Sequence, residues 1–171
     1  MQERNGVVTF KGNPLTLLGP EVQVGQAAAE FMVVDKDFKP VKLSEFAGQV
    51  VLISAVPSLD TKVCSIQTKR FNEEAAKLAD EITVLTISED LPFAQGRFCS
   101  SEKVEGHKVL SDHVYREFGQ KYGLLIKDMM LLARSVWVIG KDGKIKYRQV
   151  VGELTEEPDY GAALATAKEQ I

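Results

Sequence analysis

The chain has 171 residues, 44% of them hydrophobic, which suits one well-buried domain over residues 1–171 and is too little for two ordinary ones. A formal charge of −3 gives no general attraction to nucleic acid or to an acidic membrane. Two cysteines are too few for a secreted disulfide scaffold. They form no Cys-x-x-Cys, and with two histidines besides they lack the ligand spacing of a metal site, so neither metal nor other cofactor is expected.

The polar start, Met1 to Gly6, does not read as a signal sequence. No apolar run reaches the roughly 18 residues needed to span a bilayer, and a cytoplasmic protein is expected. Val7–Phe10 and Leu15–Leu18 flank Lys11-Gly12-Asn13-Pro14, the pattern of a β-hairpin. Phe31–Asp35 reads as a strand. Val50–Val56 is a nearly unbroken apolar, β-branched run, as in a strand buried on both faces. Pro57 ends it, because proline has no N–H for a ladder.

Ser58, Asp60 and Thr61 follow, all residues that favour an N-cap, and beyond them Cys64, Phe71, Ala75 and Leu78 recur on one helical face. Whether Asp60 or Thr61 is the cap, Cys64 falls in the first turn. Further on, Ile82–Ser88 reads as a second buried strand, and Glu89–Cys99 leads into a short helix with Pro92 in its first turn. Gly96 weakens that helix by about 1 kcal/mol relative to alanine. His107–Ser111 reads as a strand and Tyr115–Tyr122 as a helix ending at Gly123. Ser135–Ile139 and Ile145–Val151 flank a Gly140–Lys144 turn, and Tyr160–Gln170 closes the chain as a helix. Strands alternating with helices and ending in a hairpin give an α/β core around a mixed sheet.

Cys64 carries the chemistry. Free N–H groups and the positive end of a helix dipole favour an anion, hence the thiolate over the thiol. Thr61, three residues earlier, can offer its hydroxyl to the sulfur or to a bound oxygen, and Pro57 can shield the site from water. An isolated cysteine is more often a small buried apolar side chain. The strand, Pro57, Thr61 and the helix start together favour a reactive one.

Pro57-x-x-x-Thr61-x-x-Cys64 resembles the active-site motif of the peroxiredoxins. The fuller string from Pro57 through Ser58, Leu59, Asp60, Thr61 and Val63 to Cys64 resembles their thiol peroxidase branch, the atypical two-cysteine type. Similar stretches extend from Phe10–Pro14 to Glu157–Tyr160, nearly the whole chain. One departure is Ala28-Ala29-Glu30-Phe31, where many peroxiredoxins have a proline before the phenylalanine. That change affects loop stiffness and removes no catalytic group.

The resemblance implies a thioredoxin-like fold with an N-terminal β-hairpin, and a thiol-dependent peroxidase that reduces hydrogen peroxide and alkyl hydroperoxides. Cys64 would be the peroxidatic cysteine. Arg134, a guanidinium amid apolar residues at the start of a buried strand, needs an anionic partner, and its place resembles the peroxiredoxin active-site arginine. The alternative for Arg134 is a structural salt bridge. Cys99 resembles the resolving cysteine, which would condense with the Cys64 sulfenic acid to a disulfide that thioredoxin then reduces. Its alternative is buried packing beside Phe98. A homodimer is implied as well. Two other functions compete: a non-enzymatic redox sensor using the same cysteines, and a thioredoxin-fold binding module in which they are inert.

Overall fold

The computed structural model describes residues 1–78 and 80–171. It begins with a hairpin, β1 (Glu3–Phe10) and β2 (Asn13–Leu18), then short strands β3 (Met32–Val34) and β4 (Pro40–Lys42) and a 3-10 turn over Leu43–Phe46. Strands and helices then alternate through β5 (Val50–Ala55), α1 (Lys62–Ala75), β6 (Ile82–Ser88), α2 (Pro92–Glu102) and β7 (Lys108–Ser111). The chain ends with α3 (Glu117–Lys121), β8 (Leu125–Ile126), β9 (Ser135–Ile139), β10 (Ile145–Val150) and α4 (Tyr160–Glu169).

The main sheet runs β10-β9-β5-β6-β7-β3-β4, with β5, β6 and β7 parallel and the remaining pairs antiparallel. All six residues of β5 are buried, as its apolar run requires. Val51, Ile53 and Ala55 face a core shared with Phe31, Phe118, Tyr122 and Trp137. Val50 and Leu52 face the other way, against Phe71 of α1 and Ala163, Leu164 and Ala167 of α4. This is the mixed α/β sheet of the thioredoxin-like fold, with the N-terminal hairpin present.

Three local differences from the sequence reading have physical causes. The first hairpin turns at Lys11 and Gly12, both at positive φ, so Asn13 and Pro14 already belong to β2. The helix expected over Tyr115–Tyr122 begins only at Glu117, because Arg116 is left-handed (φ 55°) and the Asp112 carboxylate accepts the N–H groups of Phe118 and Gly119 at 3.1 and 2.7 Å. β8, two residues long and paired with β2, has no local signature.

Candidate active site

β5 leads directly into the loop that carries the candidate residues. Val56 N–H donates to the Ile87 carbonyl at 3.1 Å, extending the pairing with β6 by one step, and the buried Pro57 then stops it. The loop folds back on Ser58, whose carbonyl accepts both the Thr61 N–H at 3.1 Å and the Thr61 hydroxyl at 2.8 Å. Thr61 is the N-cap of α1, with extended backbone, but its side chain caps no helix N–H. The hydroxyl is thus held by Ser58 and makes no bond to the sulfur.

Cys64 is the third residue of α1 and is fully buried. It packs with Val56, Leu59, Phe98 and Val104, a small apolar cluster where the start of α1 meets α2. Arg134 immediately precedes β9 and is 2% exposed. Its Nη2 donates to Cys64 Sγ at 3.4 Å and to the Leu154 carbonyl at 2.7 Å. Nε donates to the same carbonyl at 3.1 Å, and Nη1 to Gln67 Oε1 at 2.9 Å. Gln67 in turn donates to the Ser54 hydroxyl at 2.8 Å. The salt bridge considered for Arg134 is not made: among the described residues its partners are two neutral carbonyl oxygens and a sulfur.

The loop that supplies Leu154 is fastened to the N-terminal hairpin. Leu154 N–H donates to the Thr9 carbonyl at 2.9 Å, and Thr9 N–H to the Gly152 carbonyl at 2.7 Å. Next to it, Glu153 Oε1 accepts the Gly12 N–H at 2.8 Å and Oε2 the Thr155 N–H at 2.9 Å. These backbone donors hold its carboxyl down to about 2. The hairpin therefore reaches the cysteine through Leu154 and Arg134.

Cys99 lies on α2, half-buried, and both cysteines are free thiols. Burial pushes the Cys99 thiol up, with Lys36 acting the other way. Cys99 lines a groove of about 520 Å³ together with Lys36, His107 and Val109, whereas Thr61 lines a separate groove of about 410 Å³ with Leu59, Lys62, Arg97 and Phe98. A further hollow of about 320 Å³, beside Phe46 and Gly140, contains neither cysteine. Arg70 and Arg97 are surface charges paired with Glu74 and Asp60, and Arg148 lies over Trp137 near Glu21.

Gln67, Ser54 and the Leu154 carbonyl were not among the residues singled out from the sequence. Gln67 had a signal, being a polar residue three positions after Cys64 on the buried face of an amphipathic helix. A backbone carbonyl has none.

The arrangement places a buried sulfur at a helix N-terminus beside a fixed guanidinium, which suits a thiolate nucleophile. A sequence model of the Redoxin family matches residues 23–164. The chain is 52% identical over 161 residues to the thiol peroxidase of Halalkalibacterium halodurans, covering 94% of this chain and 96% of that one. It is 47% identical to the thiol peroxidase of Bacillus subtilis over the same length and share. Among solved structures it is similar to a peroxiredoxin-like protein from Aquifex aeolicus, with TM-score 0.91, 44% identity and full coverage of both chains. The thiol peroxidase from Chromobacterium violaceum, at 19% identity and TM-score 0.83 over 95% of each chain, shares the fold.

Proposed function

The chain belongs to the redoxin family, among its thiol peroxidases, and from that premise we propose that Cys64 attacks the hydroperoxide, with Thr61, Arg134 and Pro57 forming its site and Cys99 resolving the product. Thiol-dependent reduction of peroxides is the activity, and the observation that supports this assignment of residues is the Arg134 Nη2 to Cys64 Sγ contact of 3.4 Å in the first turn of α1. The reading takes residues 1–171 as one domain.

In the first step the Cys64 thiolate attacks one peroxide oxygen and the O–O bond breaks. The sulfur becomes a sulfenic acid, and the departing alkoxide or hydroxide takes up a proton to leave as alcohol or water. Negative charge moves from sulfur to oxygen, so donors fixed in advance lower the barrier. Arg134 faces the sulfur, and Thr61 Oγ1, committed as donor to Ser58, can accept the hydrogen of the peroxide O–H while the chain turn keeps it in place. Pro57 and Leu59 keep water from the buried side.

In the second step the Cys99 sulfur attacks the Cys64 sulfenic acid, an S–S bond forms and water leaves. Exchange with an external dithiol protein of the thioredoxin type restores both thiols and takes up the disulfide. Hydrogen peroxide and alkyl hydroperoxides are both substrates on this reading, with a homodimer as the assembly and the cytoplasm as the location. No helix among the described residues is long and apolar enough to cross a membrane.

The test is a turnover assay with each peroxide and thioredoxin as reductant, run on the native protein, Cys64→Ser and Cys99→Ser. Native protein should consume many equivalents per chain and Cys64→Ser none. Cys99→Ser should consume about one equivalent and stop. Sustained turnover by Cys64→Ser moves the nucleophile elsewhere, and undiminished turnover by Cys99→Ser removes it from the resolving role.

A further inference from the structure

We propose that Asp90 is a positioning residue that sets the reduction potential of the Cys64–Cys99 pair, by tying the loop before Cys64 to the segment before Cys99 in the dithiol form. This rests on the reading that these two cysteines form a disulfide.

Asp90 lies in the short connection between β6 and α2. Its Oδ1 accepts the Ser58 hydroxyl at 2.7 Å, and its Oδ2 accepts the Leu59 N–H at 2.8 Å and the Ser88 hydroxyl at 2.7 Å. Its backbone carbonyl accepts the Ser111 hydroxyl at 2.6 Å. The network continues into α2, where Gln95 Nε2 donates to Ser88 Oγ at 3.0 Å and to the Leu110 carbonyl at 2.8 Å. One carboxylate thus joins the loop of Pro57 and Thr61, the end of β6 and, through Ser88 and Gln95, the helix of Cys99. All three of its side-chain partners are neutral donors, so the bonds are charge-assisted, and none of them goes to a cation.

The two cysteines border one apolar cluster of Val56, Leu59, Phe98 and Val104, Cys64 inside it and Cys99 against its edge, but their sulfurs have different polar neighbours. Cys64 is turned to Arg134 in a closed site, while Cys99 lines the groove of Lys36 and His107. A disulfide needs Cα atoms within about 7 Å, closer than helices packed side by side usually hold them, so the bond calls for the start of α1 or the body of α2 to shift; Asp90 is where the segments leading into those two helices are fastened to each other. Its bonds are complete in the dithiol form. Whatever strain the disulfide puts on the loop or on α2 is borne first at these contacts, so they favour dithiol over disulfide. Oxidation removes two electrons and two protons from the pair, and a glutathione disulfide accepts them.

The experiment equilibrates the native protein, Asp90→Asn and Ser58→Ala against glutathione redox buffers and measures the fraction of Cys64–Cys99 disulfide by alkylation and mass. Asparagine keeps one acceptor and turns a competing N–H₂ toward the donors. Its disulfide should be favoured about tenfold, a potential about 30 mV more negative. Ser58→Ala, which removes one of the three donors, should shift the same way by less, and it carries the test if Asp90→Asn does not fold. A residue that supports both redox forms equally changes melting temperature without moving the potential. Unmoved potentials, or a shift to less negative values, overturn the proposal while leaving the disulfide reading intact. Absence of any Cys64–Cys99 disulfide in the oxidised native protein overturns the disulfide reading, and this inference with it.

Discussion

Arg134 makes four hydrogen bonds, and the one to Cys64 Sγ at 3.4 Å is the only one of them whose acceptor can become an anion. A buried guanidinium favours an anionic neighbour, and the Cys64 sulfur stands where one would be held.

Arg134→Lys is therefore expected to slow Cys64. An ammonium cannot hold Gln67, the Leu154 carbonyl and the sulfur in one plane. The rate of Cys64 alkylation at pH 7 and the rate of peroxide reduction should both fall, the latter by about 10²-fold, the typical effect of losing one transition-state donor. Gln67→Leu removes the acceptor that orients Nη1 and should lower both rates by about tenfold, a smaller loss since the cation remains. Unchanged rates in both variants would return Arg134 to a purely structural role.

Thr61 should separate the two reactions. Its hydroxyl donates to the Ser58 carbonyl and does not touch the sulfur, so Thr61→Val should leave alkylation of Cys64 within a few-fold of native. On the proposed mechanism the peroxide oxygen lies beside that hydroxyl, so peroxide reduction should fall by about 10²-fold or more. Thr61→Ser keeps the hydroxyl and should recover most of the loss. Equal losses in alkylation and peroxide reduction would mean that Thr61 only shapes the loop.

The parts of this site that were legible in the sequence are those with a local cause. The apolar run of Val50–Val56, the stop at Pro57 and the helix start at Thr61 place Cys64 by rules of neighbouring residues. Arg134 stood out because a cation amid apolar residues demands a partner. The groups that hold Arg134 in place did not stand out: Gln67, Ser54 and the carbonyl of Leu154 meet only when β5, α1 and the loop after β10 are packed. Of the two places the sequence allows the Thr61 hydroxyl, the sulfur or a bound oxygen, the turn at Ser58 takes its hydrogen and it makes no bond to the sulfur. Asp90 lay in a stretch read as a helix start, and its partners across the sheet, Ser58 and Leu59, have no pattern in the chain.

Glu89 gives a prediction in pH. Burial, and then the charge of Asp112, push its carboxyl up to about 8, while Arg116, 3.9 Å away, acts the other way. Between the ordinary carboxyl range and about pH 8 the folded protein holds a proton that the unfolded chain has released. Stability therefore falls as pH rises through that window. Glu89→Gln stays neutral and should be more stable than native at pH 8, by on the order of 1–3 kcal/mol, with the difference shrinking toward pH 5. Urea midpoints at the two pH values measure it. A difference that does not depend on pH would place an ionised Glu89 against Arg116.

The last prediction concerns the helix of Cys99. Cys64 and Cys99 are 35 positions apart, on helices that follow the neighbouring parallel strands β5 and β6. A disulfide requires Cα atoms within about 7 Å, and helices packed side by side have axes roughly 8–10 Å apart. Local opening of one helix is the least costly route to the bond. α2 is the weaker candidate, because Gly96 lies inside it and an added Cβ there would meet nothing within 4 Å. Gly96→Ala should thus stabilise the helix without a clash, by about 1 kcal/mol. If α2 must open before Cys99 reaches the sulfenic acid, that gain lowers the open population, and with it disulfide formation, by about fivefold. Cys64 oxidation itself should be unaffected, so at high peroxide more of the sulfenic acid should go on to sulfinic acid. Quenched samples analysed by mass would count each species. Hydrogen exchange should agree, with protection across Arg97–Ser101 lower in the disulfide form and protection at Val50 and Val84 unchanged. Disulfide formation as fast in Gly96→Ala as in the native chain, with α2 equally protected in both redox forms, would show that the cysteines meet without opening α2.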